Sequence, residues 1–141
     1  MKKSLVLLFT VLILFISQFT VVAAAYDGWS YESGNWYYYA SGKKVTGWIK
    51  DDGKWYYLDN NGVMKTGWVY LNHKWYYLSP SGAMKTGWHL DGGKWYYLQS
   101  DGSMATGWLD LNEEKYYFRP DGSMVTGWRE IDGLLYYFSP S

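Results

Sequence analysis

The chain has 141 residues, a formal charge of zero, no cysteine and two histidines. A balanced charge argues against nucleic acid as a partner, which would favour a basic face. The lack of cysteine removes disulfide staples and any thiol nucleophile.

Residues 1–25 open Met1-Lys2-Lys3, run apolar from Leu5 to Val22 and close on Ala23-Ala24-Ala25. A basic start, an apolar stretch and an Ala-x-Ala site predict a secretory signal peptide cut before Tyr26. The alternative is a retained membrane anchor, since the apolar run nearly reaches bilayer length; Ser17 and Gln18 interrupt it. No Cys follows the alanines, which excludes a lipoprotein anchor. Cleavage would leave residues 26–141 as a secreted, cell-surface domain, free of the membrane, with a formal charge of about −2 once Lys2 and Lys3 are gone.

All ten Trp and sixteen Tyr follow residue 25, and they recur on a fixed beat. Thr-Gly-Trp stands at 46–48, 66–68, 86–88, 106–108 and 126–128, with a partial copy at Gly28-Trp29. A second aromatic position lies seven residues after each of these Trp: Trp36, Trp55, Trp75, Trp95, then Lys115 and Leu135. A Tyr-Tyr pair follows every time, from Tyr37-Tyr38 to Tyr136-Tyr137. Units of about 20 residues cannot bury a hydrophobic face alone and must stack on one another.

Hairpin-turn dipeptides such as Asp52-Gly53 and Gly92-Gly93 interrupt each unit, and a second turn signal (Asn61-Gly62, Ser81-Gly82, Asp101-Gly102, Asp121-Gly122) separates units. Each unit therefore reads as a β-hairpin plus a linking loop, and the fold as all-β, without helix beyond the leader. The first unit is one residue short before its next Thr-Gly-Trp, so its loop should differ. With Asp52-Gly53 central, Lys50 opposes Trp55 and Trp48 opposes Tyr57. Opposed and alternate residues share a face, so Trp48, Trp55 and Tyr57 share one, and Ile49, Tyr56 and Leu58 the other. Neither face can stay in water, which predicts a linear stack in which the Trp face of one unit meets the Tyr56-type face of a neighbour. The Gly of Thr-Gly-Trp is expected to allow close backbone approach between units.

Two Trp from one hairpin and a Tyr from its neighbour would form a three-walled aromatic cage. The negative π-faces suit a quaternary ammonium, which makes no hydrogen bonds, at about 0.5–2 kcal/mol per contact. Weak sites in series can still hold a multivalent surface.

The unit from Thr46 to Lys65 closely resembles the choline-binding repeat of Gram-positive surface proteins and phage lysins. The resemblance covers nearly all of residues 26–141. It implies a left-handed superhelical solenoid of β-hairpins and recognition of the choline or phosphocholine of cell-wall teichoic acid. Carried over by position, it implies cages at Trp48, Trp55 and Tyr76 with Met64; at Trp68, Trp75 and Tyr96 with Met84; and at Trp88, Trp95 and Tyr116 with Met104. A further cage would be Trp29, Trp36 and Tyr56, without a Met. Lys115 breaks the fifth unit, where a cationic wall predicts no site. The last two units read as a cap or as a self-association surface that would make a homodimer.

Nothing points to catalysis, a metal or a cofactor. His73 and His89 lack ligand spacing, and the Ser residues lie in turns without a nucleophile-elbow motif. The expected function is non-catalytic wall binding; the alternatives are glucan binding by the same rings, or a targeting module for a separate lytic enzyme.

Overall fold

The computed structural model describes residues 26–140; the expected signal peptide lies outside them. The described chain is all-β. It comprises β1 (Gly28–Glu32), β2 (Asn35–Ala40), β3 (Lys43–Lys44), β4 (Gly47–Asp51), β5 (Lys54–Leu58), β6 (Gly67–Leu71), β7 (Lys74–Leu78), β8 (Gly87–Asp91), β9 (Lys94–Leu98), β10 (Gly107–Leu111), β11 (Glu114–Phe118), β12 (Gly127–Ile131) and β13 (Leu134–Phe138). These form six antiparallel hairpins in chain order, each a separate small sheet. The register is the one the turn chemistry requires: Trp48 opposes Tyr57, Lys50 opposes Trp55 and Asp51 opposes Lys54. The first unit differs as its shorter loop predicts, because β3 adds a third strand through Tyr39↔Lys44.

The linking loops join each hairpin to the one before it. The amide of Met84 donates to the Trp55 carbonyl, and the next amide, Lys85, donates to the Tyr77 carbonyl, both at 2.8 Å. One extended segment thus bonds its own hairpin and the preceding one, a pattern repeated at Met64, Met104 and Met124. This backbone stitching, together with side-chain stacking, makes a solenoid from hairpins too small to stand alone.

The core is a single file along the stack. Leu58, Leu78, Leu98 and Phe118 close the second strands of successive hairpins and are fully buried; Phe138 continues the file. Toward the C-terminal end Ala105 and Val125 join it. Besides the loop serines Ser103 and Ser123, a histidine enters the interior: His89 takes the position held by Ile49, Val69 and Leu109 in other units, and its ring lies 3.8 Å from that of Tyr77.

The Gly of Thr-Gly-Trp does not serve the close approach expected of it. At Gly47 φ is +82° and a Cβ would meet nothing within 4 Å, so this glycine is required for its backbone conformation alone. Close approach falls to Gly82, Gly102 and Gly122 of the linking loops, on which Met64, Met84 and Met104 rest.

Candidate functional site: aromatic cages at the hairpin junctions

Each junction brings three rings together. Trp48 meets Trp55 of its own hairpin at 6.5 Å between centroids, nearly perpendicular at 89°. It meets Tyr76 of the next hairpin at 5.2 Å. The same set recurs as Trp68 with Trp75 (6.5 Å) and Tyr96 (4.9 Å), and as Trp88 with Trp95 (6.1 Å) and Tyr116 (4.9 Å). Trp29 with Trp36 (6.5 Å) and Tyr56 (4.9 Å) is built no less completely. The second Trp of each set remains 37–44% exposed, unlike the fully buried Leu58-type file. One flank of each second indole is thus open to solvent at its junction.

Three of these junctions enclose cavities of about 250–270 Å³. The fourth wall is a methionine, one unit later than the resemblance implies. Met84, and not Met64, lines the cavity of Trp48, Trp55 and Tyr76. Met104, and not Met84, lines that of Trp68, Trp75 and Tyr96. Met64 instead completes the cavity of Trp29, Trp36 and Tyr56, which therefore has its methionine after all. At the fourth set the same stitching recurs, the amide of Met124 donating to the Trp95 carbonyl, while Met104 lies in the Trp68 cavity. The cause is the stitching: the loop after a hairpin runs back past the second Trp of the previous hairpin, so its Met arrives at the earlier cage.

A third unit reaches two of the mouths. Asp101 lines the Trp48 cavity and Asp121 the Trp68 cavity; at the Trp29 cavity the equivalent residue is Ser81. Asp101 accepts from the hydroxyl of Ser103 at 2.6 Å and from its amide at 2.9 Å. These bonds, chiefly the hydroxyl's, hold its carboxyl down to about 2. Asp121 is depressed in the same way by Ser123. Two first Trp rings are anchored from behind, Trp29 Nε1 donating to Asp51 at 3.0 Å and Trp68 Nε1 to Asp91 at 2.9 Å.

The ends of the stack differ. Tyr37 has no preceding hairpin among the described residues; the Lys44 ammonium lies 3.3 Å from its ring centroid and pairs with Glu32 at 3.1 Å. In the fifth unit Trp108 still packs Tyr136 at 4.9 Å, but Lys115 replaces the second Trp and pairs across the hairpin with Asp110 at 2.7 Å. A cavity of about 470 Å³ opens there, with Glu114, Lys115 and Trp108 among its walls. On the last hairpin Trp128, Leu134 and Leu135 are broadly exposed.

The fold and its junctions define the class, a β-hairpin solenoid with an aromatic cage between successive repeats. The sequence profile of the choline-binding repeat matches residues 45–87, 85–110 and 105–141. The chain belongs to the choline-binding repeat family. No curated protein sequence matches it. Among solved structures it is similar to choline binding protein F from Streptococcus pneumoniae in the presence of a tetrasaccharide-pentapeptide peptidoglycan analogue, with 48% identity and a TM-score of 0.78 over 81% of this chain and 39% of that one. A second crystal form of the same protein gives 44% identity and a TM-score of 0.78 over 82% of this chain and 43% of that one. The pneumococcal cell wall endolysin of phage Cp-1, complexed with choline, is 38% identical with a TM-score of 0.51 over 77% of this chain and 34% of that one. The chain thus spans about two fifths of choline binding protein F and about a third of the endolysin.

Proposed function

We propose that this chain is a secreted, non-catalytic cell-wall-binding protein that docks on the choline groups of teichoic acid through its inter-repeat cages. The observation that carries the reading is the fourfold recurrence of two perpendicular Trp and a Tyr, each set keeping an exposed indole flank. A quaternary ammonium spreads its charge over methyl groups and needs π-faces, not hydrogen-bond partners. Three such contacts correspond to roughly millimolar affinity. Several cages engaged together on a polymer raise the avidity well beyond that. A relative that binds choline and another solved with a peptidoglycan analogue support the same surface and ligand class.

The test is retention on a quaternary-amine matrix and release by free choline. Passage through that matrix, with retention on a glucan matrix, would overturn the reading in favour of sugar stacking.

A further inference from the structure

The cages repeat their rings but not what stands behind them. At the Trp29 cage the indole N–H is held by Asp51 of β4, and two residues earlier on the same strand face stands Ile49. At the Trp68 cage the indole N–H is held in the same way by Asp91 of β8, but the residue two before it is His89. The anchor is shared and its neighbour differs. His89 borders two of the three rings of its cage: its centroid lies 5.7 Å from that of Trp68, and directly across the hairpin it opposes Tyr96. Its other face lies against Tyr77 at 3.8 Å. The residue is only 7% exposed, and its Nε2 is buried without a hydrogen-bond partner. The charged groups acting on it are Lys85, in the loop that enters β8, and Asp91; its other ionisable neighbours are Tyr77 and Tyr96. Burial, and after it Lys85, disfavours an imidazolium there more than Asp91 favours one.

We propose that His89 is a proton switch on the Trp68 cage: on taking up a proton it weakens the hold of Trp68, Trp75 and Tyr96 on a quaternary ammonium and leaves the other three cages as they are. This rests on the cages being quaternary-ammonium sites. A neutral imidazole packs among the rings as one more aromatic. An imidazolium makes both ring nitrogens donors, and nothing around Nε2 accepts. The carboxylate on its own strand face, Asp91, is committed to Trp68 Nε1, so turning to the imidazolium releases the indole that forms the first cage wall. The ligand and the imidazolium also repel each other across the same rings. Both effects have one sign. Choline keeps its charge at every pH, and Asp121 at that mouth is held below the ordinary carboxylate range by Ser123, so neither supplies the response. The expected effect is roughly a five- to tenfold loss of choline affinity at this cage between about pH 7.5 and about pH 5.

The indole N–H signals of the ten tryptophans allow each cage to be followed separately by NMR while the whole protein is titrated with choline at the two pH values. Affinity should fall at Trp68 and Trp75 and hold at Trp29 and Trp36, which share the carboxylate anchor and have Ile49 in place of the histidine. His89→Ile installs the residue of the Trp29 junction and should make the two cages respond alike. His73→Asn, at the exposed hairpin turn beside Tyr70, should leave the switch working. The imidazole signals of His89 give the reciprocal measurement, since saturating choline must make His89 harder to protonate by the same factor. Constant affinity at the Trp68 cage, a loss shared equally by all four cages, or a His89 protonation indifferent to choline would overturn the switch while leaving the cages intact. If choline moved no indole signal at either pH, the cage reading itself would fail, and the switch with it.

Discussion

Met84 rests its thioether on Gly102: a Cβ at that glycine would stand 2.3 Å from the Met84 sulfur and 2.6 Å from its Cε. The methionine is therefore held between the Trp48 cage in front and the next linking loop behind. Gly102→Ala must displace one or the other, and it also places a side chain at φ +82°. We expect a loss of about 2–3 kcal/mol, with strain and overpacking combined, and weaker ligand binding at the Trp48 cage. Gly107→Ala is the control. It has a similar φ of +72° and open space where the Cβ would go, and should cost only about 1 kcal/mol. Urea unfolding of the two variants decides the matter; equal losses would mean that the methionine packing is loose.

That contact also marks where sequence reading ran out. Hairpin pairing is local: Asp52-Gly53 fixes the register, and the register fixes which rings share a face, so Trp48, Trp55 and the facing Tyr76 were legible. The position of Met84 depends on how far the linking loop travels past the previous hairpin, which no within-unit periodicity encodes. The clue was indirect. Each linking-loop Met stands next to a residue whose amide bonds the same unit's hairpin, as Lys85 bonds Tyr77, and an extended chain must then offer the Met amide to the opposite side. The glycine roles were exchanged for the same reason, since sequence shows where glycine recurs but not whether space or conformation demands it.

His89 gives the stack a pH dependence. Its ring is buried between Tyr77 and Trp68, and its Nε2 is buried without a hydrogen-bond partner. Burial first, and then the nearby Lys85, push its pKa below the ordinary 6.5, against a smaller opposing pull from Asp91. As pH falls below about 6.5 the unfolded chain takes up the proton before the folded one does, so stability must decline with acidification in that window. His89→Val supplies the aliphatic type found at Val69 and should flatten the pH profile of thermal stability between about 7 and 5. An unchanged profile would show that the slope arises elsewhere.

The hairpin turns are not equally relaxed. Asp52-Gly53 places glycine at the second left-handed position, whereas the fifth hairpin places Glu113 there with φ +71°. Glu113 is a turn residue that belongs to none of the four ring sets, and this conformation strains a side chain with a Cβ. Glu113→Gly should raise stability by about 1 kcal/mol, seen as a higher urea midpoint, with ligand binding unaltered. A lower midpoint would show that Glu113 has compensating contacts.

The fifth unit separates the two requirements of a cage, since it keeps the first and lacks the second. Trp108 and Tyr136 already pack at 4.9 Å, the spacing found in three of the four complete sets. Of the three rings only the second indole is missing, and Lys115 in its place is occupied with Asp110 on the exposed edge of the hairpin. Removing that ion pair should cost little, because both partners are about 70% exposed. Lys115→Trp should therefore leave the fold intact and add one further, weaker quaternary-ammonium site, counted as an increase in choline stoichiometry by calorimetry. The carboxylate of Asp110 would then lie at the outer flank of the new indole and assist the cation rather than oppose it. If the stoichiometry did not change, two perpendicular indoles and a tyrosine would be insufficient, and the methionine wall supplied by the following loop would be the part a cage cannot lack.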